Sequence, residues 1–584
     1  MAVENLITEH IDIWTSAEKT RSTSGRGSSK KLELYGVKKL RELILELAVR
    51  GKLVPQDPND EPASVLLERI AAEKTQLVKE KKIKKQKALP EVTEQEAPFN
   101  VPKGWEWTRL GNLSSDIHYG YTASAKPNSE GVRLLRITDI QNDKVNWGTV
   151  PACDITEEKA KSYLLENDDI LIARTGGTIG KSYLVENIDL QAVFASYLIR
   201  VKRVQAVYAP FTKVFLGSQL YWKQLIENSA GTGQPNVNAT ALKQLLFIVP
   251  PFNQQKRIVA KVDELMALCD QLEQQTEASI EAHQVLVTTL LDTLTNSADA
   301  DELMQNWTRI SEHFDTLFTT EESIDQLKQT ILQLAVMGKL VSQDPNDEPA
   351  AELLKRIAEE KAQLVKEKKI KKQKALPPIS EDEKPFELPS GWEWERIGTF
   401  GVVGTGATPS RSNPKYWDDP KYNWVSSGET SELFVSTTKE KVSELAIQET
   451  NVSIYPSGTL IVAMYGQGKT RGQITELTEP AGTNQACAAI QLIEKNESHK
   501  DFVKLYFRKS YEELRSNAAG GAQPNLNVGK VQSTVIAVPP LNEQQRINTK
   551  VNELLTVCDH LKAHFEAVQS TQLHLTDAIV EQAL

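Results

Sequence analysis

Four cysteines in 584 residues are too few and too scattered to build anything. Cys153, Cys269, Cys487 and Cys558 form no CxxC pair, so neither a disulfide framework nor a zinc ribbon can be drawn from them, and a reducing compartment is the plain reading. No apolar run approaches the roughly 20 residues needed to span a bilayer. The N-terminus lacks the basic-then-apolar pattern of a secretion signal, and a cytoplasmic protein is expected. Catalytic patterns are missing as well: no HExxH, no clustered histidines, no set of nuclease carboxylates, and no glycine-rich cofactor loop following a strand. A strong excess of basic charge is also absent, with 68 Lys and Arg against 78 Asp and Glu. The acidic surplus is local. Residues 251–394 carry 16 basic against 27 acidic groups, whereas 108–250 carry 15 against 13 and 395–539 carry 15 against 15. Those two near-neutral stretches leave room for a basic face without demonstrating one.

What the chain does have is a second copy of itself. QLVKEKKIKKQKALP at 76–90 returns letter for letter at 363–377, an offset of 287. GKLVPQDPNDEP at 51–62 matches GKLVSQDPNDEP at 338–349, and GWEW occurs at 104–107 and 391–394. A second block, beginning QPNVN at 234 and QPNLN at 523, continues through VPPFNQQKRI and VPPLNEQQRI at offset 289. Between the matched blocks lie two inserts of about 140 residues that barely resemble each other. The resulting division is 1–103 helical, 104–250 first insert, 251–390 helical, 391–539 second insert, 540–584 helical.

Taken in order, 6–19 reads as helix, and the Ser/Gly/Arg-rich 21–31 as a flexible linker by composition. Leu40, Leu43, Ile44 and Leu47 recur at helical spacing up to Gly51. After the proline-broken turn PQDPNDEP, Ser64 is expected to cap a second helix carrying Leu67, Ile70 and Leu77. The lysine-rich end of that helix has two readings: a solvated face whose cations favour the helix C-terminus, or a contact for DNA backbone. Each insert shows short β-rich runs. DILIAR at 169–174 parallels TLIVAMY at 459–465, and AVFASYLIRV at 192–201 parallels NQACAAIQLI at 484–493; VRLLRITDI at 132–140 and KSYLVE at 181–186 are further strands. Helical stretches follow at 218–228 and 502–515, so each insert is a small α+β domain. From 254 onward Val262, Leu265, Cys269 and Leu272 form a narrow apolar seam on a long helix, copied at Val551, Leu554 and Leu561, which calls for a partner helix. Under a pseudo-two-fold arrangement, helix 254–294 pairs with the helices after Ile324, and the helix after Glu543 pairs with the N-terminal ones.

Gly180-Lys181-Ser182, after a strand, invites comparison with a phosphate-binding loop, but the glycine required five positions earlier is Thr175. The second copy, Gly468-Lys469-Thr470, has Ala463 there. Val249-Pro250-Pro251-Phe252 lacks the polar residue an amino-methyltransferase motif needs, and the prolines read as a strand end and helix start. In QPNVN and QPNLN the asparagines Asn238 and Asn527 are plausible N-caps, with direct DNA contact as the other reading.

The duplicated helical regions, the GKLV-QDPNDEP, GWEW, QPN and VPP-NEQQRI blocks, and the two divergent inserts together resemble the specificity subunit of a Type I restriction–modification enzyme. The resemblance covers essentially the whole chain. It implies an α+β fold with two target recognition domains separated by long antiparallel helical, coiled-coil spacers. It further implies that each insert reads one half of a bipartite sequence in double-stranded DNA, and that the helices set the gap and dock two methyltransferase subunits. Restriction–translocase subunits would join through those partners. No cofactor is expected in this chain; S-adenosylmethionine, ATP and Mg are expected on the partner subunits, and no membrane is involved. The candidate DNA contacts are Tyr119, Tyr121, Arg174, Thr175, Lys181, Gln234 and Asn236 in the first insert. In the second they are Arg411, Tyr465, Gln467, Lys469, Arg471, Gln523 and Asn525. Val262, Leu265, Leu272, Val551, Leu554 and Leu561 are the candidate spacer and partner contacts. A phosphate-loop NTPase and a purely structural coiled-coil adaptor are the competing classes.

Overall fold

The computed structural model describes residues 3–22, 30–127, 130–229, 237–298, 300–465, 470–516 and 526–584. They gather into two units, Met1–Ser279 with Val568–Leu584, and Ile280–Ala567. The fold is α+β: each unit holds a helical region, a sheet-containing insert, and parts of two long helices.

In the first unit, helix Tyr35–Val49 buries Leu40, Leu43, Ile44 and Leu47, all 3% exposed or less. It stops at Gly51, whose φ is +70° and where a Cβ would come within 2.5 Å of Pro102 Cγ. The left-handed turn and the close approach both demand glycine. Gly338 repeats the arrangement against Pro389, with the same φ and the same 2.5 Å. The next helix, Ala63–Lys79, does not use Ser64 as its cap. Pro62 holds the N-cap position, and the Ala63 amide donates to the Gly104 carbonyl at 2.8 Å. In the other unit Ala351 stands where Ser64 would be, and the Ala350 amide makes the same 2.8 Å bond to Gly391. The GWEW segment therefore caps the helix from outside, which its sequence distance concealed.

At the ends of the Ser/Gly/Arg-rich stretch 21–31 there are strands, Glu18–Ser22 pairing antiparallel with Lys30–Leu34, which composition hid; residues 23–29 lie outside the described residues. The lysine-rich run is not a helical face. Lys81 and Lys368 adopt φ +57°, which turns the chain out of each helix, and residues 82–90 continue as an irregular strap. Its burial has a three-residue rhythm: Ile83, Gln86 and Leu89 are half-buried and the lysines between them exposed, as are those around Ile370, Gln373 and Leu376. Gln86 Nε2 donates to the Ser115 carbonyl at 2.7 Å. Beneath the strap, Lys74 Nζ donates to Gln86 Oε1 at 3.1 Å and to the Gly111 carbonyl at 2.9 Å. Lys361 repeats this with Gln373 at 3.1 Å and Gly398 at 2.6 Å.

Each insert begins and ends in one two-stranded antiparallel ladder, Glu106–Arg109 with Leu246–Val249, and Glu393–Arg396 with Val535–Val538. Beyond that base the first insert carries a sheet in the order Ser114–Tyr119, Leu198–Arg203, Ile170–Ala173, Ser182–Leu184. The second carries Gly401–Thr405, Cys487–Leu492, Leu460–Ala463, Ile474–Leu477, with Phe434–Val435 at the edge. The parallel runs thus fill the same slots. Ile170–Ala173 and Leu460–Ala463 are at most 1% exposed, which is why they read as unbroken apolar runs rather than alternating ones. Ala192–Phe194 leaves the first main sheet to pair in parallel with Arg133–Leu135, and a 3-10 turn at Ile137–Asp139 interrupts the rest of VRLLRITDI.

The two long helices are Phe252–Thr295 and Leu541–Ala583. Val262, Leu265 and Cys269 are buried and Leu272 half-buried; in the copy Val551 and Cys558 are buried, Leu554 and Leu561 half-buried. Their partners divide differently from expectation. In the first unit, helix Tyr35–Val49 meets the start of the first long helix, Arg41 bonding Glu273 at 2.6 Å, and the end of the second, Tyr35 bonding Asp577 at 2.8 Å. In the second unit, helix Glu321–Val336 meets the start of the second long helix, Lys328 bonding Asp559 at 2.7 Å, and the end of the first, Gln284 bonding Glu322 at 2.6 Å. Each long helix changes partner along its length.

Candidate nucleic-acid interface

The ends of three neighbouring strands meet at one edge of the first insert. Tyr119 stands opposite Ile199 and Ala173 opposite Leu198, so Tyr119, Arg174 and Tyr197 leave the sheet together. The Arg174 amide donates to the Tyr197 carbonyl at 3.0 Å. The Arg174 guanidinium carbon lies 4.7 Å from the centre of the Tyr119 ring, and the Tyr119 hydroxyl accepts from the Ala239 amide at 3.2 Å. Tyr197 is 64% exposed, and on the other side of the Ile170–Ala173 strand Lys181, whose carbonyl accepts from the Ala173 amide at 2.8 Å, is exposed as well. A guanidinium stacked on a fixed ring is pre-oriented, and its planar fork suits a base edge or a phosphate. Tyr121 faces elsewhere. It is half-buried, with its ring 5.5 Å from that of Tyr163. Thr175 is half-buried ahead of the 3-10 turn Gly176–Thr178.

That turn cannot cradle a nucleotide phosphate. The amides that would point at the anion are already spent: Ile179 on Gly176, Gly180 on Ala173 and Lys181 on Thr178, at 2.8–3.1 Å. Lys181 leads into strand Ser182–Leu184, whereas a phosphate loop needs the N-terminus of a helix. Gly180 is a packing glycine, since a Cβ would come 2.3 Å from Leu225 Cδ2. Its carbonyl accepts from the buried Tyr221 hydroxyl at 2.8 Å.

The second insert keeps this frame and changes its chemistry. The Met464 amide donates to Ala486 at 2.8 Å, Gly472 to Ala463 at 2.8 Å, and Ala463 to Gln473 at 3.0 Å. These bonds match Arg174 to Tyr197, Gly180 to Ala173, and Ala173 to Lys181. Met464, Ala486 and Gln473 therefore occupy the places of Arg174, Tyr197 and Lys181. Lys469 is not the counterpart of Lys181; the second loop is longer, and matching Gly-Lys letters misaligned it. Tyr465 is 42% exposed at this edge. Arg471 is half-buried, and its shielded Nε and Nη1 have no hydrogen-bond partner among the described residues. Arg411 is committed within its own insert, donating to Glu440 at 2.8 Å and stacking 3.9 Å from the Trp417 ring centre.

Gln234, Asn236, Gln467, Lys469, Gln523 and Asn525 lie outside the described residues. The asparagines next to two of those segments do cap helices: Asn238 Oδ1 accepts from Ala241 at 2.8 Å and Asn527 Oδ1 from Lys530 at 2.9 Å. Tyr197 escaped the sequence reading although it interrupts the apolar run AVFASYLIRV, and that interruption was the available signal.

Among the described residues no three His, Cys, Asp or Glu side chains could hold a metal ion, and no helix is long and apolar enough to cross a membrane. The four thiols are buried and unpaired. Burial pushes Cys269, Cys487 and Cys558 up to about 11, away from nucleophilic use.

Comparison with known proteins returns one family twice. The model of the Type I restriction modification DNA specificity domain matches residues 102–282 and 389–567. The chain is 42% identical to the Type I restriction enzyme EcoEI specificity subunit of Escherichia coli, and 41% identical to the EcoAI specificity subunit of the same species. Both alignments span 100% of each chain. A crystal structure of the HsdS subunit from Thermoanaerobacter tengcongensis aligns over 83% of this chain and 98% of its own, at 16% identity and a TM-score of 0.41.

Proposed function

The chain belongs to the Type I restriction–modification specificity-subunit family, and from that premise we propose that its two inserts read the two halves of one asymmetric, bipartite site in double-stranded DNA. The observation that carries this reading is the shared hydrogen-bond frame with unlike side chains. Arg174, Tyr197 and Lys181 at one sheet edge are replaced by Met464, Ala486 and Gln473 at the other. Two readers built on one frame but carrying unlike side chains at its edge, a stacked guanidinium in one and a buried thioether in the other, select different bases. The long helices set the gap between the half-sites and dock two methyltransferase subunits, through which restriction–translocase subunits join. Those partners bring S-adenosylmethionine, ATP and Mg; this chain orients the DNA and does no chemistry. Such a complex works in the cytoplasm, on the host's own DNA.

The test is a map of modified adenines in a host carrying the full system. Two different short half-sites at a constant gap are expected. A single contiguous site, a palindromic pair, or no sequence-dependent modification would reject the reading.

A further inference from the structure

Six lysines and one glutamate fall within residues 79–87, and the same nine letters return at 366–374. Lys82 pairs with Glu80 at 2.8 Å, and Lys369 with Glu367 at 2.9 Å. Lys81, Lys84, Lys85 and Lys87 make no ion pair among the described residues, nor do the lysines at the four matching positions. A run that served solubility alone would need no fixed orientation. Here Ile83, Gln86 and Leu89 hold one side of the strap down, with Leu89 against Gly111 and Gln86 on the Ser115 carbonyl. Lys74 braces it from beneath. The cations are thereby kept on the outer side.

We propose that each strap lies along the phosphate backbone flanking its half-site, as a clamp indifferent to sequence. The proposal rests on the DNA-reading role above. Three observations converge on phosphate. Residues 81 to 87 span at most about 20 Å of extended chain, the axial rise of about six base pairs at ~3.4 Å each, so several successive phosphates of one strand lie within its length. Gln86 anchors the strap at Ser115, four residues along the strand from Tyr119, or about 13 Å at ~3.3 Å per residue. That is close to the ~12 Å width of a major groove, so a reader at Tyr119 and Arg174 would have a backbone within reach of the lysines. The straps are also identical while the inserts diverge, so what they touch is the same at both half-sites; phosphates are, and bases are not. Lysine binds phosphate as a point charge but is depleted at protein–protein interfaces, which favours the backbone over a docked subunit.

The test uses the assembled complex of this chain with its methyltransferase partners. One variant carries K81Q, K84Q, K85Q and K87Q with the same changes at 368, 371, 372 and 374; a second carries arginine at all eight positions. Binding is measured against salt on DNA with and without the target. In the glutamine variant the plot of log K against log salt should become shallower by about 2–4 units. The loss should be equal on both DNAs, with the methylated sequence unchanged, and the arginine variant should keep the parental slope. An unchanged slope in the glutamine variant would overturn the proposal. So would a changed half-site, which would make the strap a base reader, or loss of the methyltransferase with the slope intact, which would make it a protein dock. If the parent complex shows no target preference, the functional reading fails instead, and the slope on arbitrary DNA still decides the strap.

Discussion

Arg174 and Met464 sit on equivalent hydrogen bonds, yet one presents a stacked guanidinium and the other is 3% exposed. R174A should cost about 1–3 kcal/mol of discrimination at one position of one half-site and leave the other half-site untouched. R174K should lose that discrimination while keeping the salt dependence, because lysine retains charge without the fork; competition binding against single-base variants reads both effects. M464A should instead lower thermal stability, by about 2–5 kcal/mol, without relaxing recognition. His499 offers a separate handle in the second unit. It is fully buried, its Nδ1 lies 3.1 Å from Gln544 Oε1, and its Nε2 has no partner among the described residues. Burial holds it below the ordinary imidazole value. The unfolded chain therefore takes up a proton that the folded one refuses, and stability is lost as pH falls below about 6.5, by at most about 1.4 kcal/mol per pH unit. H499Q should flatten that dependence in denaturant titrations at pH 7.5 and 5.5; an unchanged slope would remove His499 as its source. Sequence singled out Arg174 because a buried apolar strand ends on it. It gave no sign of the setting of Arg411, since nothing in the letters announces that Glu440, 29 residues on, takes up the guanidinium.

At the level of elements, the seam on the long helices was legible in its 3-4-3 spacing, but its depth was not. Leu265 is 0% exposed whereas Leu554, its copy, is half-buried. L265A should therefore destabilise by about 2–5 kcal/mol and L554A by nearer 1 kcal/mol, measured by chemical denaturation; equal losses would contradict the difference in packing. The strap shows the opposite failure. Its letters were conspicuous through repetition, yet lysine, isoleucine and glutamine suit a helix as well as an irregular strand. What ended the helix was the left-handed turn at Lys81, a conformation no residue type there advertises. Caps supplied from a distance, such as Gly104 on Ala63, are likewise invisible to any local pattern.

For the molecule as a whole, duplication was the most readable fact, because identical letters need no physics to compare. The change of partner along each long helix was not readable, since a continuous seam gives no sign of where one neighbour ends and the next begins. If the helices set the gap, four residues inserted into both, at 279–280 and 567–568, add about 6 Å at ~1.5 Å per residue. The modified sites should then keep both half-sites and lengthen the gap by one or two base pairs, as adenine mapping would reveal; a changed half-site at the old gap would show that the helices are not the ruler. The ladders at the base of the inserts have a consequence of another kind. Because each insert's first and last strands are hydrogen-bonded to each other, Glu106–Arg109 to Leu246–Val249 and Glu393–Arg396 to Val535–Val538, a foreign insert of different length could be spliced between them while its two junctions stay side by side. The repeated segments beside the junctions, identical over 76–90 and 363–377 and partly matched after the inserts, would give genetic recombination its homology. A lineage carrying this chain could thus acquire a new specificity in a single exchange, inheriting a finished reading surface instead of evolving one base contact at a time.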